Sequence, residues 1–208
     1  MVGWRAWMGA NERGAGSCPA QSSCNRYACF GAEGGGGIVT ASEILAQSAT
    51  QVGYHALTFS TFPSQIMGGP TWTQTRVATS RVLSSGDDLD VLVAFNRYAY
   101  DAHKDEVREG GVIIYNAEDF ELESDGQSFG MPFDELAKST GNARAANMVV
   151  MGALAYLVKM PQPILEEFVR TRFTRGRPND EEIIKSNIEA LSLGRDEADG
   201  SGFDLGEL

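Results

Sequence analysis

Residues 26–54 constrain the fold of this chain most. They read RYACFGAEGGGGIVTASEILAQSATQVGY. A short apolar run ends in four consecutive glycines, Gly34, Gly35, Gly36 and Gly37. A helical stripe of Ile38, Ala41, Ile44, Leu45, Ala49 and Val52 follows directly. The pattern predicts a strand, a tight glycine turn and a helix. Glycine alone lets the backbone turn so sharply without laying a side chain over the helix start. The free N–H groups there, with the positive end of the helix dipole, suit an anion, usually a phosphate. The apolar run from His55 to Phe62 is expected as a second strand, parallel to the first.

The familiar nucleotide fingerprints are incomplete at this turn. A dinucleotide site needs G-x-G-x-x-G, and counting from Gly34 the sixth position is Val39. It also needs an acidic residue about 20 positions on, where Ser60, Thr61 and Phe62 stand. A P-loop needs Gly-Lys-Ser/Thr, and the chain reads Gly37-Ile38-Val39. Two readings of the turn stay open: an anion site made by backbone alone, and a purely structural tight turn.

Strands alternate with helical stretches along the rest of the chain. The fold class this predicts is α/β, Rossmann-like, a mainly parallel sheet with helices on both faces and a small hairpin addition. Residues 62–70, with two prolines around Gly68 and Gly69, predict a loop of unusual backbone. Thr71–Thr79 alternates as a strand, with Arg81–Ser84 as its expected hairpin partner. Leu89–Phe95 and Val112–Tyr115 read as buried strands. Arg97–Glu109 reads as a polar helix closed by Gly110-Gly111, and residues 118–130 as acidic and irregular. Helices are expected over 133–139, 143–160, 164–173 and 180–193, the last closed by Gly194. Residues 1–25 lack any period and read as a mobile extension, or an upstream start that is not the natural one. Residues 26–194 form the expected domain, and 195–208 a loose acidic tail.

Charge and composition narrow the function. The chain carries a net charge of -11, which argues against a nucleic-acid surface. No apolar run nears the roughly 20 residues of a membrane span, and no signal segment opens the chain, so a cytoplasmic location is expected. Cys18, Cys24 and Cys29 are spaced C-x5-C-x4-C, a poor metal pattern. Cys29 falls inside the first strand and reads as a core residue. His55 reads as a packed or edge residue. His103, in Asp101-x-His103-x-Asp105-Glu106, reads as part of a solvated helix face. No Gly-x-Ser-x-Gly elbow occurs, and no catalytic set is visible. Asn147 sits in an otherwise apolar helix and must find partners: the backbone of the glycine loops, or a ligand. Arg76 follows Gly-Gly-Pro and is a candidate for a phosphate.

Five blocks in order carry a family resemblance: GAEGGGGIVTASEILAQSA from Gly31, FPSQIMGGPTWTQTRV from Phe62, DVLVAFN from Asp90, GGVIIYN from Gly110 and GNARAANMVVMGAL from Gly141. Together they resemble the gamma subunit or gamma domain of 2-oxoacid:ferredoxin oxidoreductases, over about residues 26–194. Two positions depart from the family's glycine motif: Ala32 replaces its first glycine, and Gly36 replaces the Gln or Glu before its last.

The resemblance implies a Rossmann-like subunit, not itself catalytic, of an enzyme that converts a 2-oxoacid to acyl-CoA and CO2. It implies alpha and beta partners that hold thiamine diphosphate. Iron–sulfur clusters would lie in other parts or a delta subunit, and ferredoxin would accept the electrons. Coenzyme A would be cradled at a subunit contact, near Gly34, Gly35, Gly36, Gly37, Gly68, Gly69, Arg76 and Asn147. Catalytic residues and metal ligands are expected in none of this chain. A free-standing binding protein for a phosphorylated ligand, and an NAD-linked dehydrogenase with a degenerate fingerprint, are the rival readings.

Overall fold

The computed structural model describes residues 25–33, 37–64, 69–86, 88–123 and 126–206. Gly34, Gly35, Gly36 and Gly68 lie outside these residues, as do residues 1–24 of the expected extension (1–25), with Cys18 and Cys24; Asn25, its last residue, opens a strand.

Six strands form one mixed sheet: β1 (Asn25–Glu33), β2 (His55–Thr61), β3 (Pro70–Ala78), β4 (Leu89–Ala94), β5 (Val107–Asn116) and β6 (Ser128–Met131). Their spatial order is β2-β3-β1-β4-β5-β6. β4 pairs parallel with β1 and β5, and β6 parallel with β5. β3 runs antiparallel to both β1 and β2. Five strands thus point one way and β3 alone points the other. β2 is parallel in direction to β1, as expected, but β3 is inserted between them. The hairpin is therefore β2 with β3. Residues 81–84, expected as the hairpin partner, form no strand; β3 already has a neighbour on each side.

The helices are α1 (Ile38–Gln51), α2 (Arg97–His103), α3 (Phe133–Ser139), α4 (Ala146–Leu157), α5 (Gln162–Phe173) and α6 (Asp180–Ser201). Alternation along β1 splits the core between the two faces. Ala28, Phe30 and Ala32 join α1, α3, α4, α5 and α6 in the main core. Tyr27 and Cys29 face the other way, with Leu92, Ile113 and Tyr100 of α2. Cys29 is wholly buried, as read from the sequence. Burial, and then the Glu106 charge, push its thiol up from 9.0 to about 12.

α4 is apolar nearly all round, and only Ala146, Asn147 and Tyr156 escape burial in it. It crosses α6 at two small residues. A Cβ on Gly152 would lie 1.9 Å from the Leu191 carbonyl oxygen, and one on Gly194 would lie 1.8 Å from that of Val149. Gly194 is therefore a packing residue inside α6 and does not end the helix. The expected loose tail is corrected accordingly. Residues 195–201 are helical, Ala198 and Leu205 are buried, and the Leu205 N–H donates to the Leu157 carbonyl at 3.0 Å.

Two further differences have local causes. Gly110 and Gly111 were read as a helix end, but they lie within β5, where the register to β4 shifts between Leu89 and Val91. Glycine inside a strand marks such an irregularity. β6 falls in the stretch read as irregular; its four residues are too few to show a period.

Candidate anion site at the glycine turn

The β1–α1 and β4–α2 connections leave the sheet over opposite faces, because α1 belongs to one core and α2 borders the other. β1 and β4 are parallel neighbours. Their carboxyl ends therefore form a topological switch point, the place where open α/β sheets bind ligands. The glycine turn stands at this point.

Gly37 enters α1 with φ 71°, in the left-handed region that favours glycine. Its carbonyl accepts from the Ala41 N–H at 3.1 Å and from Asn147 Nδ2 at 3.4 Å. Asn147 thus bonds the backbone of the turn, the first of its two sequence readings. It is the second residue of α4, so the starts of α1 and α4 meet at Gly37.

The helices around this edge of the sheet differ in how their starts are satisfied. Asn96 Oδ1 accepts from the Ala99 N–H at 2.8 Å, and Asp119 Oδ2 from the Arg97 N–H at 3.0 Å, so α2 is filled. Glu118 Oε2 accepts from the N–H groups of Asp134 and Glu135 at 2.6 and 3.0 Å, so α3 is filled. α1 and α4 have no side-chain cap and no acidic residue in their first turns. The start of α5 is open in the same way, and of the three those of α1 and α4 converge at Gly37. The positive ends of two helix dipoles therefore meet here, a setting that suits an anion.

The other sequence candidates separate. Gly69 is buried beside Pro70, which pairs with Glu33 at the end of β1, so it borders the turn. Arg76 does not. It pairs with Tyr27 in the sheet, six residues down β1 from Glu33, or about 20 Å at strand rise. Its Nε donates to Asn25 Oδ1 at 2.8 Å and its Nη1 to the Ser84 carbonyl at 3.1 Å. Arg76 leaves the candidate site because β3 is antiparallel and carries it away from the turn.

The cation nearest Asn147 along the chain is Arg144, which the sequence reading missed. It is exposed, three residues before Asn147, and among the described residues no carboxylate pairs with it. Its signal was an arginine inside the same block as the candidate asparagine. His103 also needs correction, since it is buried and not on a solvated face. Its Nδ1 lies 3.0 Å from Glu106 Oε1, and its ring packs edge-on against Trp72 at 5.2 Å. His55 is exposed at the start of the edge strand β2, in keeping with its edge reading. Among the described residues no group of three His, Cys, Asp or Glu side chains could hold a metal. Among the same residues no helix is long and apolar enough to cross a membrane.

The fold is an α/β domain, and the candidate site lies at the switch point of its sheet. Its sequence relationships name the lineage: residues 28–197 match the pyruvate ferredoxin/flavodoxin oxidoreductase family, and the chain belongs to it. It is 31% identical over 168 residues to the ketoisovalerate oxidoreductase subunit VorA of Methanothermobacter marburgensis, covering 78% of this chain and 34% of that one. It is 29% identical, with a TM-score of 0.81, to a 2-oxoglutarate:ferredoxin oxidoreductase from Magnetococcus marinus solved with 2-oxoglutarate, coenzyme A and succinyl-CoA bound. That match covers 90% of this chain and 33% of the other. The fold also matches a keto/oxoacid ferredoxin oxidoreductase gamma subunit from Geobacter sulfurreducens, at a TM-score of 0.72 and 21% identity, over 85% of this chain and 98% of that one. The chain thus spans about a third of the length of the first two relatives.

Proposed function

We propose that this chain is the gamma part of a cytoplasmic 2-oxoacid:ferredoxin oxidoreductase, which decarboxylates a 2-oxoacid oxidatively to acyl-CoA and CO2. In this reading the chain does not perform the carbon chemistry. Alpha and beta parts hold thiamine diphosphate, those or a delta part hold the iron–sulfur clusters, and ferredoxin takes the electrons. The role of this chain is to hold the phosphates of coenzyme A at the contact between the parts.

One observation carries the proposal: two uncapped helix starts converge on Gly37, while the neighbouring helices are closed by Asp119 and Glu118. Backbone N–H groups from the glycine turn and from α1 and α4 would receive the phosphate oxygens. Arg144 would add the charge that the turn lacks. Gly34, Gly35, Gly36, Gly37, Gly68 and Gly69 would let the ligand approach the backbone closely. Asn147 would fix the turn. Family membership, and the coenzyme A in the Magnetococcus marinus relative, support this choice of ligand.

The test is Arg144→Gln in the assembled enzyme. A hydrogen bond to a charged group is worth about 1.5–3 kcal/mol, so the KM for coenzyme A should rise about tenfold or more. kcat should hold, because binding is lost equally in ground and transition states. The KM of the variant should also respond less to added salt. An unchanged KM would remove Arg144 from the site.

A further inference from the structure

Among the described residues no element covers the outer face of β2. α1 packs on one side of β2 and β3, and α2 shields the other side only as far as Trp72. Beyond it the outward residues run in rows across the strands: Leu57 with Arg76, Phe59 with Gln74, Thr61 with Trp72. Leu57 is 36% exposed and Phe59 57%, and Phe62 just past the strand is 62% exposed. These are three of the five large exposed hydrophobic side chains among the described residues, gathered within six positions.

β2 is also the edge of the sheet. Edge strands are normally protected by lysine, proline, a bulge or an inward charge. HALTFST has no lysine, proline or carboxylate, and its pairing with β3 is unbroken from His55 to Thr61. In a chain of net charge -11, the rows above contain no carboxylate. Their one cation, Arg76, is held by Asn25 and Ser84. An aromatic strip without carboxylates along an unprotected edge marks an interface.

We propose that this strip seats the polypeptide that makes up the other two thirds of the Magnetococcus marinus relative. There the domain is 33% of one chain, so a body about twice its size is tethered to it. A second copy of this chain suits the strip less, since it would bring two bodies of the same negative charge together. The inference rests on the proposal that this chain works within a larger oxidoreductase.

The experiment measures amide exchange of residues 55–62 in the native complex, purified through a tag on this chain, and in the 208-residue chain alone. It also follows the recovery of the larger polypeptide with Phe59→Lys. Exchange should slow at least tenfold in the complex. The variant should recover at least tenfold less of a polypeptide whose sequence matches the remainder of that relative. Two results overturn this inference while leaving the functional proposal standing: an active assembly whose β2 amides exchange as in the free chain, or protection of β2 by a second copy of this chain. Recovery of the tagged chain with no such polypeptide and no activity overturns both. If Phe59→Lys does not fold, the exchange comparison on the unmodified protein decides.

Discussion

Gly194→Ala should lower the melting temperature of this protein by about 10 °C, while Gly200→Ala in the same helix should raise it. Alanine is favoured over glycine within a helix by about 1 kcal/mol, and at Gly200 a new Cβ meets nothing within 4 Å. At Gly194 the same methyl would sit 1.8 Å from the Val149 carbonyl oxygen, a backbone atom of α4. Gly152 makes the reciprocal approach to Leu191, so α4 cannot slide away from one contact without opening the other. Overpacking of this kind costs about 1–3 kcal/mol and sometimes more, and a chain of this size loses roughly 2–4 °C for each kcal/mol. Thermal unfolding of the two variants checks the signs. If both raised the melting temperature, α4 and α6 would not cross at these glycines.

The second large effect is on the ligand. Gly37→Val should raise the KM for coenzyme A in the assembled enzyme by tenfold or more, with a smaller change in kcat. Two costs coincide. A β-branched residue at φ 71° is strained by about 1–3 kcal/mol. Its Cβ would also stand 2.9 Å from Asn147 Nδ2 and push away the amide that fixes the turn. Gly37→Asn separates the two, since asparagine tolerates left-handed backbone yet still crowds Asn147. It should recover most of the stability but little of the affinity. If Gly37→Val left that KM unchanged, the phosphates would lie elsewhere.

How much of this was legible in the sequence depended on what the residues had to do locally. β1, the turn and α1 were readable because apolar periodicity and a glycine run are local signals. The helix at 133–139 and the start of the one at 180 were readable for the same reason. The insertion of β3 between β1 and β2 was not, because alternation along TWTQTRV fits either neighbour and either direction. That single unread crossing misplaced Arg76, which would border the turn only if its strand ran the other way. Gly194 misled in a similar way. A glycine after an apolar stripe looks like a helix end, and only the facing helix reveals that it is a contact. The candidate site was half visible. The glycines and Asn147 stood out, but the open start of α4, and Arg144 beside it, depended on two helices meeting across 110 residues of chain.

In the function proposed above, this chain serves a coenzyme A-dependent oxidation of a 2-oxoacid. The most direct test is to purify it anaerobically from its native source by a tag on this chain. Viologen reduction is then measured against several 2-oxoacids, with and without coenzyme A. Larger polypeptides in fixed ratio, and reduction that requires both coenzyme A and one 2-oxoacid, are the expected result. A chain recovered alone and inert with every 2-oxoacid would contradict it.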